Sequence, residues 1–290
     1  LHKLPVFATA GLAYRFLLHE AGTILRLSWF PLLLVTIIQY FAARAQFAAM
    51  RSALEAGDIR AMSGFSPVWH WQILGGLIAI LGTAIVAVAL HRVILFGDRR
   101  PGRFIHLAFG KIEMLFALLP IIVLLPIALL AFVVFGLAGA AAPTLSGAAW
   151  AIIFVGYLLL WAAFIFAAVR LANIFPVTVI EGRYDFGQAW SLTRGNFWRI
   201  VGLWIVVFIP LLIVVAVIAF VIIPPFPPAS VSGKGGPNQV IAMFEQIESR
   251  LLVQTIFSFV WSIVGGALAV AVLSYSYKAL SGVHPDDVWT

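Results

Sequence analysis

The chain has 290 residues, 63% of them hydrophobic and only 10% charged, against about 25% charged in an ordinary soluble domain. With a mean hydropathy of +1.08 and long apolar runs throughout, soluble packing cannot hide the apolar surface, and an all-α polytopic membrane protein is the expected class. The net charge of +7 fits the cation excess of cytoplasmic loops rather than nucleic acid as a partner, and the absence of cysteine excludes disulfides, thiolate metal sites and cysteine nucleophiles.

A hydrocarbon layer of about 30 Å takes roughly 20 apolar residues per helix. Residues 1–20 lack the pattern of a signal peptide. The first span is predicted over Leu25–Ala48, and the polar, Ala-rich stretch Arg44–Met62 could extend it outward. The second runs Pro67–Phe96, with Ser66 as N-cap and Pro67 at the first helical position. The third runs Ile112–Gly139 and the fourth Gly147–Val179, ended by Pro176 and Gly182. Asp185–Phe197 reads as an interfacial helix with Asp185 at its start, because Phe186, Ala189, Trp190, Thr193 and Phe197 share one face. The fifth span runs Phe197–Ile223. A Pro- and Gly-rich loop follows, then a short amphipathic surface helix over Val240–Arg250 and a sixth span over Leu251–Leu280. All six are assigned to one integral membrane domain spanning 1–290.

Thirteen of the 18 Lys and Arg residues fall on one side of these spans. They include Arg99, Arg100, Arg103, Lys111, Arg183, Arg194 and Arg199. The bias places both termini in the cytoplasm. Trp29, Trp198 and Trp289 then mark the inner boundary, and Trp69, Trp71, Trp150 and Trp261 the outer one.

The chain also resembles itself. Trp71, Gly75 and Gly76 open the second span as Trp261, Gly265 and Gly266 open the sixth, and Trp150 begins a weaker copy in the fourth. Arg15 and Phe16 precede Gly22 by the same intervals as Arg103 and Phe104 precede Gly110, and as Gln188 and Ala189 precede Gly195. Each following span contains proline, at Pro31, at Pro120 and Pro126, and at Pro210. Three repeats of helical hairpins are expected over 9–96, 101–180 and 184–280. Each would be a cytoplasmic interfacial helix, a proline-kinked helix and a straight return helix. Gly75, Gly76, Gly265 and Gly266 would allow close helix packing.

The most motif-like stretch holds Arg170, Asn173, Pro176, Glu181, Gly182, Gln188, Trp190, Ser191, Thr193, Gly195, Asn196, Trp198 and Arg199. It resembles the membrane domain fused to some bacterial glycerophosphodiester phosphodiesterases, and related uncharacterised six-helix bacterial membrane proteins. The similarity is sharp over residues 165–215. It implies a six-helix architecture in a bacterial inner membrane. The phosphodiesterase catalytic domain is missing, so that activity is not implied.

No catalytic constellation is evident. All 11 acidic residues lie in loops or at span boundaries, whereas proton-driven pumps carry ionisable groups in mid-span. His19 and Glu20 start a zinc-helix pattern that Thr23 fails to complete. His70 and His91 read as outer and inner boundary residues, and Asn173 as an interhelical hydrogen-bonding group. No cofactor or metal is implied. The basic residues Arg99, Arg100, Arg103, Lys111, Arg183, Arg194 and Arg199 can hold anionic lipid headgroups, and the same charges set topology. The expected partners are membrane lipids and other subunits of a membrane complex. The expected role is a non-enzymatic lipid-binding scaffold or accessory subunit. The alternative is a transporter or flippase for a lipid-like molecule.

Overall fold

A computed structural model describes residues 2–56, 69–99, 104–141, 146–222 and 237–282. Ser66, Pro67, Arg100, Arg103, Trp289 and the Pro/Gly-rich loop lie outside them. Nine helices and no strand occur among the described residues. They are α1 (Val6–His19), α2 (Ala21–Glu55), α3 (Trp69–Phe96), α4 (Lys111–Ala141), α5 (Gly147–Arg170), α6 (Ile174–Glu181), α7 (Phe186–Leu192), α8 (Phe197–Ile222) and α9 (Pro237–Ser281). Five runs are long and apolar enough to cross a bilayer: α2, α3, α5 continued through α6, α8 and α9. α4 is 31 residues long.

Local chemistry explains most boundaries. α3 stops where Gly97 takes φ 68°, and α6 stops at Gly182 with φ 65°, left-handed conformations that favour glycine. Ser146 caps α5 by accepting from the Ala149 N–H. Asp185 caps α7 by accepting from the Gln188 N–H at 2.8 Å. α2 continues outward to Glu55 because nothing from Ala42 onward breaks a helix. The fourth span reaches Glu181 but is broken by a turn rather than continuous. α5 closes at Arg170, a turn over 171–173 follows, and Pro176 lies in the first turn of α6, where its missing N–H costs nothing.

Three expectations need correction. Val240–Arg250 is not a separate surface helix but part of the 45-residue α9. No glycine or proline falls between 238 and 264 to interrupt it, and Glu248 reaches Arg51 of the α2 extension at 3.8 Å. Residues 104–110 are not an interfacial helix. They form a strap over α2, where the Phe104 carbonyl accepts from Trp29 Nε1 at 3.0 Å. The paired glycines, finally, do not create the close helix contact. A Cβ at Gly76 or Gly266 would meet nothing within 4 Å, one at Gly265 only the Trp261 side chain of its own helix, and one at Gly75 only Ile38 at 4.0 Å. The close approach lies two turns along α3, at Gly82. A Cβ there would stand 2.5 Å from Val35 Cγ2 and 3.4 Å from the Pro31 carbonyl oxygen. Pro31 packs buried in α2, and only a glycine on α3 leaves room beside it.

α2, α3 and α9 pack on one another, and α3, α6 and α9 also meet mutually. α2 leans on α3 and α9, α4 on α3 and α6, and α8 on α9 and α5. α1 lies against α9, α8 and α2. Pro31, Pro120, Pro126 and Pro210 all sit inside continuous helices. Beside Pro210, the Val207 carbonyl accepts from Tyr14 Oη of α1 at 2.6 Å. The core joins Phe16, Ile24, Leu27, Val88, Leu90, Ile200, Leu203, Leu268 and Ala271. It therefore gathers at the end of the bundle where α2, α4 and α8 begin and α3, α6 and α9 finish, called here the basic end. The most apolar window of α5–α6 has none of its residues buried, against 50% in α3. α5 thus faces outward, as a lipid-bathed helix does, while α3 lies at the centre.

Candidate functional site

At the basic end α7 is fastened beneath the end of α5. Thr193 Oγ1, fully buried, donates to the Arg170 carbonyl at 2.7 Å, which satisfies one of the acceptors left open by a helix C-terminus. Gly195, at φ 76°, turns the chain from α7 into α8. The Arg170 guanidinium lies over the Trp190 ring, 4.5 Å from its centroid, a favourable cation–π geometry. Phe166 of α5 stands edge-on to Trp190 at 6.0 Å and beside Phe197 at 5.2 Å. Between α5 and α7 opens a groove of about 780 Å³, lined by Arg170, Leu171, Phe186, Gly187, Trp190, Ser191 and Arg194. Arg170 is 7% exposed, and its Nε has no hydrogen-bond partner.

A second groove lies in the corresponding place beneath α3, lined by Arg92, residues 108–113, Glu181 and Gly182. It holds Lys111, but also two carboxylates. Glu113 accepts from the Gly110 N–H at 3.0 Å, as a helix-capping residue.

Between the two grooves, polar groups tie the centre together. His91 Nδ1 and Ser274 Oγ are hydrogen-bonded at 2.7 Å. Ser276 Oγ donates to Asn173 Oδ1 at 2.9 Å, and Lys278 Nζ donates to the Ile94 carbonyl at 2.6 Å. His91 is therefore a fully buried interhelical group and not the boundary anchor its position suggested. Asn173 bonds between helices as expected. His70 is exposed between the rings of Trp69 and Trp71.

The basic residues singled out from sequence divide. Arg99 is engaged by Glu20, at 3.0 Å through Nε and 2.6 Å through its terminal nitrogen, and its carbonyl accepts from Arg26 at 2.7 Å. Arg183 stands 3.9 Å from Glu181 and 3.7 Å from Asp185. Arg199 donates to the Leu4 carbonyl at 3.0 Å, and so clamps the N-terminal segment. Arg194 lines the first groove and Lys111 the second, both exposed. Arg100 and Arg103 lie outside the described residues. The group not singled out as a ligand was Arg170. Its signal was visible: a lone cation ends an otherwise uncharged 24-residue helix, yet only the fold shows that it is buried.

Among the described residues, no cluster of three or more His, Asp and Glu is arranged to hold a metal ion. Long apolar helices with outward-facing greasy surfaces, and cations gathered at one end, define an integral membrane protein of the α-helical class. No family model, curated protein or solved structure matches this chain.

Proposed function

We propose that the chain is a six-span protein of the bacterial inner membrane, with both termini in the cytoplasm. It binds anionic phospholipid at its basic end and acts as a non-enzymatic scaffold or accessory subunit of a membrane complex. α4 serves as the sixth span, since its 31 residues are apolar from Met114 to Gly139 and exceed the length a bilayer needs. The resemblance over residues 165–215 points to the bacterial inner membrane, and the sidedness of Lys and Arg to the orientation.

A threefold repeat of hairpins is supported by how the helices neighbour one another. Each proline-bearing helix packs on the return helix of its own unit and on that of the unit before: α2 on α3 and α9, α4 on α6 and α3, α8 on α9 and α5. The interfacial segments follow the same cycle. Tyr14 bonds to α8, Phe104 to α2, and Tyr184 to the Leu115 carbonyl of α4 at 2.6 Å.

The observation that carries the lipid reading is Arg194, exposed and without an ion pair among the described residues, in a groove that no carboxylate lines. A cation near the membrane surface attracts anionic headgroups with about 1 kcal/mol. Purification from native membranes in mild detergent, followed by native mass spectrometry, should recover stoichiometric anionic phospholipid or a companion subunit. A bare monomer whose stability is indifferent to lipid refutes the reading. The outward exposure of α5 favours one competing reading, a lipid carrier. Protein-dependent movement of a labelled lipid across reconstituted vesicles would replace the scaffold reading with that one.

A further inference from the structure

We propose that the groove between the end of α5 and α7 binds the phosphate of an anionic phospholipid headgroup, with Arg170 as its anchor and Arg194 at its mouth. The proposal rests on the lipid-binding reading above and gives it a location.

Arg170 is the starting point. It is 7% exposed, its Nε has no hydrogen-bond partner, and no carboxylate pairs with it among the described residues. A buried cation without a counter-charge is unfavourable. The Trp190 ring at 4.5 Å and its place in the last turn of α5 offset only part of that penalty. An anion in the groove supplies the rest. A guanidinium is suited to this one, because its planar fork meets two phosphate oxygens at once.

Depth and access agree. α5 has 24 residues, a rise of about 36 Å. With Ser146 at one headgroup layer, its far end reaches the other. α5 faces lipid along its apolar length, so a phospholipid can slide in sideways with its headgroup towards Arg170. Leu171 and Phe186 offer the apolar wall that a glycerol backbone and upper acyl chain require and a free phosphate ion does not. The corresponding groove beneath α3 sets Glu113 and Glu181 against Arg92 and Lys111. Its charges balance, so it does not select an anion and serves as an internal control.

The test titrates the full chain in zwitterionic micelles with short-chain phosphatidylglycerol, short-chain phosphatidylcholine and inorganic phosphate, by calorimetry. Saturable binding of phosphatidylglycerol is expected, weaker by about tenfold to a hundredfold in Arg170→Gln. Arg170→Lys, which keeps charge but loses the fork, should fall between, and Arg92→Gln in the control groove should bind as the wild type does. Where Arg170→Gln does not fold, Ser191→Asp carries the test. It changes an exposed position, and a carboxylate beside the two guanidinium groups should abolish binding. Phosphatidylglycerol bound equally well by the wild type, Arg170→Gln and Ser191→Asp overturns the site and leaves the broader lipid reading standing. Equal affinity for phosphatidylcholine, or for inorganic phosphate, overturns the assignment of an anionic lipid. A wild type that neither binds phosphatidylglycerol nor copurifies with lipid overturns both.

Discussion

Replacing Gly82 by alanine should destabilise the protein by about 1 kcal/mol, although alanine is the better helix former. The new Cβ would stand 2.5 Å from Val35 Cγ2 and 3.4 Å from the Pro31 carbonyl oxygen, whereas non-bonded carbons rest about 3.5–4.0 Å apart. The neighbour must therefore retreat by more than about 1 Å. Val35 is buried and β-branched, so its χ1 in a helix is nearly fixed, and the other neighbour is backbone. α2 and α3 have to separate instead. Forcing a methyl into such a contact costs about 1–3 kcal/mol, and the gain in helix propensity is about 0.8–1.0 kcal/mol. The paired control is Gly76→Ala, where nothing lies within 4 Å and only the propensity gain remains. Reversible unfolding by denaturing detergent in mixed micelles measures both. Val35→Ala removes the clashing methyl, so it should cost less in the Gly82→Ala background than in the wild type, a coupling that a double-mutant cycle isolates. A Gly82→Ala protein as stable as Gly76→Ala, with no coupling to Val35, would refute the close-contact reading.

Asn196→Ala should cost about 2 kcal/mol, because the 2%-exposed amide both accepts from the Leu4 N–H at 3.0 Å and donates to the His2 carbonyl at 2.9 Å. Hydrogen exchange at the Leu4 amide should rise with it. Asp185→Ala removes the cap of α7, worth about 1 kcal/mol, and faster exchange confined to residues 186–192 would register it. Burial raises the Tyr14 and Tyr184 hydroxyls above their usual 10.0. The folded protein keeps those protons after the unfolded chain has lost them, so their stabilisation is complete below pH 10 and fades as pH rises through the folded values. The double change Tyr14→Phe, Tyr184→Phe should flatten the fall of stability above pH 10, and an unchanged slope would show that other groups set it.

Much of the fold was legible because it depends on short stretches of chain. The last residue of α3, Phe96, and the first of α8, Phe197, fell where apolar runs met glycine or polar residues. Asp185 was recognised as a cap from its place before a helical pattern. The outward extension of α2 followed from a stretch without helix breakers. The errors arose where a neighbour distant in sequence decides. Gly75 and Gly76 looked like packing glycines as a pair, but the contact belongs to Gly82 because Pro31 of another helix stands opposite it. Arg99, expected to hold a lipid headgroup, is instead engaged by Glu20, 79 residues away.

The amino-acid sequence alone determined the solvent of this protein and the ends of most of its helices. Transfer into hydrocarbon is settled window by window, by how many apolar side chains a turn carries and where the first charge interrupts them. Only the tertiary structure decided which cations are neutralised and that Arg170 is left buried without a counter-charge among the described residues. Partnership is a property of the space between elements. Arg170 and Trp190 are 20 positions apart in the chain, and it is the turn over 171–173, α6 and the Asp185-capped α7 that carry one beneath the other.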